Sequence, residues 1–215
     1  MKSIRSILTF IAIATLVSGC ATAPSYQKAE TTGTSINEYR EEVVNVKMAV
    51  DISMAYLDQT VETAATDPRQ AFGAFEKSVD GLEDAWTKAG KRAETVKAEG
   101  DAYFKKWEEE LATINNPEIH KMAEERKAKL TEIFGKIGPL SEKAKESFDP
   151  FLADLKDLRV FFRQDLTVAG VDAAKSTITN TREEGGKLQT VLEDLIAEMD
   201  PIAAAFTPAK AAPKQ

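Results

Sequence analysis

Apolar residues recur in alternating steps of three and four along most of this chain. The pattern is longest between residues 68 and 166, on both sides of the sequence Asn115-Asn116-Pro117. The positions before this point include Phe72, Phe75, Val79, Leu82, Trp86, Val96, Tyr103 and Trp107, and those after it include Leu130, Ile133, Ile137, Ala144, Phe151, Leu155 and Phe162. A seven-residue apolar repeat sustained this long predicts helices with left-handed, coiled-coil-like packing. Because proline begins helices well and keeps the preceding residue out of the α conformation, Asn-Asn-Pro predicts the turn of an antiparallel helical hairpin.

The same repeat predicts one helix before this hairpin and one after it. Ser35-Ile36-Asn37-Glu38 has the form of a capping box, in which Ser and Glu stand three residues apart at a helix start. Val168-Ala169-Gly170 predicts the turn before the last helix. The predicted fold is all-α: an elongated, antiparallel, coiled-coil-like four-helix bundle over residues 35–206. Its predicted helices span about residues 36–65, 68–115, 117–166 and 171–206.

The unequal helix lengths predict the outline of the molecule. The second and third helices would each be about 72 Å long, whereas the first and fourth would be about 45 to 55 Å. The hairpin turn at residues 115–117 is therefore expected to project alone beyond a four-helix body. Both chain ends are expected to leave the body on the side of that turn.

The third predicted helix contains two possible interruptions. Gly138-Pro139 and Asp149-Pro150 could each end a helix. The apolar register nevertheless continues across both, whereas a loop usually loses the register. We therefore expect kinks at these positions rather than breaks.

The first nineteen residues have the features of a signal peptide. Lys2 and Arg5 form a short positive region, and Ile7 to Val17 form an apolar stretch. As a helix that stretch would cover about 16 Å, against about 30 Å for the hydrocarbon core of a bilayer. It is too short to span the membrane, so residues 1–19 are predicted to be a cleaved leader.

The end of this leader resembles the lipobox of bacterial lipoproteins, in Leu16-Val17-Ser18-Gly19-Cys20. The resemblance implies a diacylglyceryl thioether on Cys20, which would anchor the chain to a membrane; the alternative is an incidental thiol beside a simple cleavage site. Ala21, where inner-membrane lipoproteins often have Asp, favours the outer membrane. Residues 20–34 are rich in Ala, Thr, Ser and Gly and predict a flexible tether, and residues 207–215 predict a disordered tail.

Charge and composition exclude several classes of function. The formal net charge is −7, and without Lys2 and Arg5 of the leader it is 26 basic against 35 acidic residues, or −9. No basic stripe is present to replace the counterions of nucleic acid. Cys20 is the only cysteine and His120 the only histidine, which excludes an intrachain disulfide and a His- or Cys-based zinc site. We predict no catalytic residues, no cofactor and no metal.

Two tryptophans lie on one face of the second predicted helix. Trp86 is expected to be a core residue, and the same could hold for Trp107. Trp107 lies toward the projecting hairpin, however, where only two helices would cover it. Together with Tyr103 and Phe104 it is predicted to form an exposed apolar patch that contacts a partner.

Parts of the chain resemble a known family. The run Phe104-Lys105-Lys106-Trp107-Glu108-Glu109-Glu110-Leu111 has the form Phe-x-x-Trp-Glu-x-Glu-Leu, and Asp149-Pro150-Phe151-Leu152 is followed by Phe162 and Leu166. These residues resemble a family of bacterial lipoproteins catalogued as domain of unknown function 2959, over roughly Glu99 to Ile202. The resemblance implies a secreted helical lipoprotein and brings neither an activity nor site residues.

Two functional hypotheses follow from the sequence. The first is a non-enzymatic envelope lipoprotein that faces the periplasm and binds a protein partner through coiled-coil contacts, with its oligomeric state left open. The second is a carrier or sensor that opens to bind an apolar ligand between its helices. Its hinges would be Gly100, Gly138-Pro139 and Gly185-Gly186.

Overall fold

The computed structural model describes residues 23–207, so the predicted leader, Cys20 and residues 208–215 lie outside the described part of the chain. Within residues 23–207 the chain forms six helical segments and no strand, which confirms the all-α fold. The segments are α1 (Ser25–Glu62), α2 (Arg69–Leu111), α3 (Pro117–Phe134), α4 (Ile137–Gln164), α5 (Val168–Ala173) and α6 (Lys175–Phe206).

The helices pack as a bundle around one continuous apolar core. Helix α1 lies between α2 and α6, and α4 packs on the other side of α6. The core side chains are those of the heptad positions, among them Val43, Val50, Leu57, Phe75, Leu82, Phe151, Leu155, Leu188 and Leu195. The apolar repeat therefore identifies the buried face of each long helix.

The seam between α2 and α4 is packed more loosely than the seams that join α1 to α2 and α6 to α1 and α4. Trp86 stacks on Phe148 across it, with ring centroids 4.0 Å apart. Long charged side chains bridge it further along, where Lys156 pairs with Glu83 at 2.8 Å and Arg159 pairs with Asp80 at 2.6 Å. Because these pairs are exposed, they add little to the stability of the fold.

The predicted tether is wrong for residues 25–34, because α1 begins at Ser25 and the proposed capping box lies inside the helix. Thr32 and Gly33 are buried. The Thr32 hydroxyl lies 3.3 Å from the carbonyl oxygen of Glu99 in α2. A Cβ atom on Gly33 would lie 2.8 Å from Cγ2 of Thr207, at the end of α6. Small residues are thus needed here because two other helices approach closely.

The third predicted helix is divided, but at neither predicted proline. It is interrupted at Gly135-Lys136, between α3 and α4. Pro139 lies in the first turn of α4, where a missing backbone N–H costs little, and Pro150 lies inside the continuous helix. The heptad register still continues across the interruption, because Leu130, Ile137, Ala144, Phe151 and Leu158 are all buried.

The hairpin projects much less than its predicted length implies. Ser25, the first residue of α1, donates hydrogen bonds to the Glu110 carboxylate from its backbone N–H at 3.1 Å and from its hydroxyl at 2.6 Å. Helix α1 therefore extends to the last turn of α2. Only the connection 112–116 and the start of α3 lie beyond this contact. Asn116 caps α3 by accepting a hydrogen bond from the N–H of Glu118 at 2.9 Å.

Both ends of the described chain lie toward this turn, as expected. Ser25 is held at Glu110, and Phe206, the last residue of α6, packs against Tyr103 with ring centroids 5.3 Å apart. The last predicted helix begins earlier than expected and is interrupted at Ala174, between α5 and α6.

Candidate binding surfaces

An aromatic cluster joins three helices near the hairpin. It consists of Tyr103, Phe104 and Trp107 of α2, Phe134 of α3 and Phe206 of α6. Tyr103 meets Trp107 edge to face at 5.6 Å, and Phe104 meets Phe134 in the same way at 5.7 Å. Edge-to-face contacts are a favoured geometry for aromatic pairs. The cluster therefore fastens the end of α6 to the hairpin.

The structure places the three predicted contact residues inside this cluster rather than on an exposed patch. Tyr103 is only 3% exposed, and Phe104 and Trp107 are half-buried against the core. Trp86 is half-buried as well, so Trp86 and Trp107 do not differ in burial as expected. The reason is that α1 and α6 both extend to the hairpin and cover its faces there.

Burial in the cluster changes the acidity of a tyrosine. It raises the pKa of Tyr103 to about 12, and the nearby charge of Arg126 opposes this shift. The Arg126 guanidinium also donates a hydrogen bond of 3.3 Å to the carbonyl oxygen of Ala205, at the C-terminal end of α6. A cation at that end of a helix is favourable because the helix dipole is negative there.

A groove of about 400 Å³ opens in the α2–α4 seam beside the interruption between α3 and α4. Ala93 and Val96 of α2 line one side, and Phe134, Ile137 and Gly138 line the other. The volume lies in the range of small-molecule pockets. Three of the residues that line it are small, namely Ala93, Gly135 and Gly138.

Polar side chains also line this groove: Glu94, Lys97 and Asp101 of α2 and Ser141 of α4. The Ser141 hydroxyl donates to the carbonyl oxygen of Ile137 at 2.8 Å, so the Tyr39 hydroxyl is the donor in its own 2.8 Å contact with Ser141. Burial raises the pKa of Tyr39. The groove therefore offers a ligand mainly apolar contacts, and the Ser141 hydroxyl at its edge is already hydrogen-bonded within the protein.

The glycines predicted as hinges have different surroundings. Gly100 and Gly185 lie inside continuous helices at close contacts, where a Cβ atom would overlap Phe134 and the Met54 side chain respectively. Gly138 lies next to the observed interruption at Gly135-Lys136, and a Cβ atom there would meet no atom within 4 Å. Of the predicted hinges, Gly138 is the one beside a real discontinuity.

Sequence reasoning missed an apolar stripe on the outer face of α1. Met48, Ile52 and Tyr56 are exposed at successive intervals of four residues, on the face opposite the buried Val50 and Leu57. We define these three residues as the α1 stripe. The spacing i, i+4, i+8 was the available signal, because it places three large apolar side chains on one helix face.

Side chains that could bind a metal ion do not cluster in the described part of the chain. Among residues 23–207, no group of three His, Cys, Asp or Glu side chains is placed to hold a metal ion. His120 lies at the start of α3 with Nδ1 3.6 Å from the carboxylate of Glu124. No helix in residues 23–207 has an apolar stretch long enough to cross a bilayer.

Comparison with known proteins gives one result. The family model described as "Protein of unknown function (DUF2959)" matches residues 25–206. No curated protein and no solved structure matches the chain significantly. The matched range begins and ends with the bundle described above.

Proposed function

Because this chain belongs to the DUF2959 family, whose description assigns no function, we propose its role from its own residues: a lipid-anchored scaffold protein of the bacterial cell envelope. In this role it binds another protein and performs no catalysis. The anchor would be lipid on Cys20, which places the bundle in the periplasm, and Ala21 favours the outer membrane.

The α1 stripe is the observation that carries the scaffold role. Its three side chains present an apolar line about two turns long on a face of α1 that is exposed among residues 23–207. A second helix can pack against such a line through residues at i, i+4 and i+8. The predicted patch at Tyr103, Phe104 and Trp107 is engaged within the bundle, so the stripe is the better contact surface.

Fatty-acid labelling tests the anchor. Cells that express the full chain are grown with a radioactive or clickable fatty acid, and the protein is isolated. We expect label on the wild type and none on Cys20→Ser, because the thioether needs the thiol. Equal label on both proteins would contradict the lipoprotein proposal.

Cross-linking in cells tests the scaffold role. A photoreactive amino acid at Met48 should give a discrete product whose mass identifies one partner or a second copy of this chain. Ile52→Lys should abolish that product, because a charge would be buried in the contact. Val160→Lys is the matched control, since both residues are 49% exposed and Val160 lies on α4. A product that survives Ile52→Lys would contradict the proposed contact.

The groove favours a second candidate function, that of a carrier or sensor for an apolar ligand. It lies in a loosely packed seam of the bundle, beside the helix interruption. Protein purified from membranes would then carry extractable lipid or another apolar molecule. Ala93→Trp, which fills the groove, should remove that molecule and leave the α1 cross-link unchanged.

A further inference from the structure

We propose that the hairpin end of the bundle rests on the lipid surface in which Cys20 is anchored. The contact would be made by Tyr26, Ile119 and Met122 together with the connection 112–116, which we call the tip surface. This inference depends on the proposed lipid anchor and adds an orientation to it. The partner would then be bound from the side, through the α1 stripe.

The length of chain between the anchor and the bundle limits where the membrane can be. Cys20 precedes Ser25 by five residues, which reach at most about 17 Å when fully extended. Ser25 is itself held to Glu110 by two hydrogen bonds. The lipid is therefore inserted within a short distance of the tip surface, and the opposite end of the bundle is too far away to meet that membrane beside the anchor.

The tip surface carries the most exposed large apolar side chains in the described part of the chain. Tyr26 is 62% exposed, Ile119 is 54% exposed and Met122 is 64% exposed. All three lie within the first turns of helices that begin at this end of the bundle, α1 and α3. Side chains of this kind enter the boundary between headgroups and acyl chains when a helix end lies on a membrane.

The local charge also suits a lipid surface. Residues 112–117 contain no charged side chain, although 29% of the whole chain is charged. The three glutamates that precede them are paired: Lys127 pairs with Glu108, and Lys106 lies 3.5 Å from Glu109 and 3.8 Å from Glu110. Two lysines thus face these three glutamates, and Glu118 adds one acidic side chain in the first turn of α3, so only a small acidic excess remains at this end to be repelled by anionic headgroups.

The contact is small and needs the anchor. Three side chains and a short connection are too few to hold a protein on a membrane, whereas a tether of five residues keeps them at high local concentration beside the surface. The unanchored chain is accordingly expected to stay in solution, and the anchored chain is expected to stand with its tip down.

The single cysteine allows a direct test with the mature chain, beginning at Cys20. The Cys20 thiol is coupled to maleimide-headgroup lipid in vesicles of phosphatidylcholine and phosphatidylglycerol that contain nitroxide-labelled lipid. Met122→Trp reports on the tip surface, and Val160→Trp is the control. Val160 follows Arg159, which pairs with Asp80 of α2, so it lies about 50 Å from the tip along the helix axis.

Fluorescence from the introduced tryptophan is obtained by subtracting the signal of the wild-type protein, which contains Trp86 and Trp107. We expect nitroxide lipid to quench Trp at position 122 several-fold more strongly than Trp at position 160. Charged variants, Ile119→Glu and Met122→Glu, should restore hydrogen exchange of the tip amides to the rate of uncoupled protein. Equal quenching at the two positions, or stronger quenching at position 160, would overturn the orientation.

Chemical coupling keeps this test separate from the test of the anchor. Absence of fatty-acid label on Cys20 in cells would remove the anchor itself, whatever the vesicle experiment gives. Weak quenching at position 122 in coupled protein would overturn the tip contact even if Cys20 is lipidated in cells.

Discussion

At the scale of single residues, close packing between helices decides which side chains fit at certain positions. Gly185 of α6 faces Met54 of α1 and Phe151 of α4, where three helices meet. Its neighbour Gly186 has open space around the position that a Cβ atom would occupy. Substitutions at the two glycines therefore measure two effects separately: close contact between helices at Gly185, and the backbone entropy of glycine in a helix at Gly186.

We predict opposite effects for alanine at these two positions. A Cβ atom on Gly185 would lie 3.0 Å from Cε2 of Phe151, which is fully buried. Overpacking should lower the free energy of unfolding of Gly185→Ala by about 1 to 3 kcal/mol. Gly186→Ala should raise it by up to about 1 kcal/mol, because alanine favours the helix. Urea unfolding of both variants measures this, and equal effects of the same sign would contradict it.

A second prediction at this scale concerns alkaline pH. Burial raises the pKa of Tyr103 to about 12 from its ordinary value of 10. Between these values the unfolded chain loses the phenolic proton while the folded protein keeps it, so the free energy of unfolding falls as pH rises. Tyr39, whose pKa is also raised, adds to the same slope.

Melting temperatures from pH 8 to 12 measure this dependence. The melting temperature of the wild type should stay constant below about pH 10 and should fall above it. The melting temperature of Tyr103→Phe should fall less steeply, because only the contribution of Tyr39 remains. If the melting temperature of Tyr103→Phe falls with pH as steeply as that of the wild type, groups other than Tyr103 cause the loss of stability.

At the scale of elements, the start of α1 shows how small residues conceal a helix. Ala29, Thr32, Ile36, Tyr39 and Val43 keep steps of three and four without a break. The first members of this series are small or polar, so they resemble a tether by composition. In the bundle Thr32 lies against Glu99 of α2, and a Cβ atom on the neighbouring Gly33 would lie too close to Thr207 at the end of α6.

Removing residues 21–34 from the mature chain should therefore destabilise the bundle. The deletion removes the buried Thr32 and Gly33 and uncovers Phe206, with an expected loss of about 2 to 4 kcal/mol in the free energy of unfolding. Thermal unfolding measures this, and removal of residues 208–215 controls for shortening. An unchanged melting temperature would show that residues 25–34 act as a tether after all.

The division between α3 and α4 has a similar explanation. The prolines at 139 and 150 were the conspicuous signals, yet the first lies in the first turn of α4 and the second lies inside that helix without ending it. Gly135, the C-cap of α3, could not be told from glycines such as Gly100 that lie inside continuous helices. The interruption there leaves the heptad register intact, which is why the apolar pattern could not reveal it.

At the scale of the whole molecule, the bundle is a rod. Helix α2 alone has 43 residues and is therefore about 65 Å long. A rod of this length and about 20 Å in width has a radius of gyration near 20 Å, against about 17 Å for a compact domain of this size. Small-angle scattering of the mature chain should give the larger value. A value near that of a globule would contradict the rod.

Under the proposals above, different surfaces of the rod make different contacts. The tip surface faces the anchoring membrane, and the α1 stripe faces sideways into the periplasm. The groove in the α2–α4 seam lies on the same rod, away from the stripe-bearing outer face of α1. A membrane contact and a protein contact can therefore be made at the same time.

The sequence by itself determined the helical class, the buried face of each helix and the position of the hairpin turn. Periodicity, Asn116 and Pro117 act within one helix or one turn, so they are readable without knowledge of neighbours. Only the tertiary structure decided that α1 begins at Ser25, that Tyr103 is buried and that the hairpin barely projects. Each of these depends on how far α1 and α6 extend beside α2, because a residue's exposure is set by the helices that pack over it.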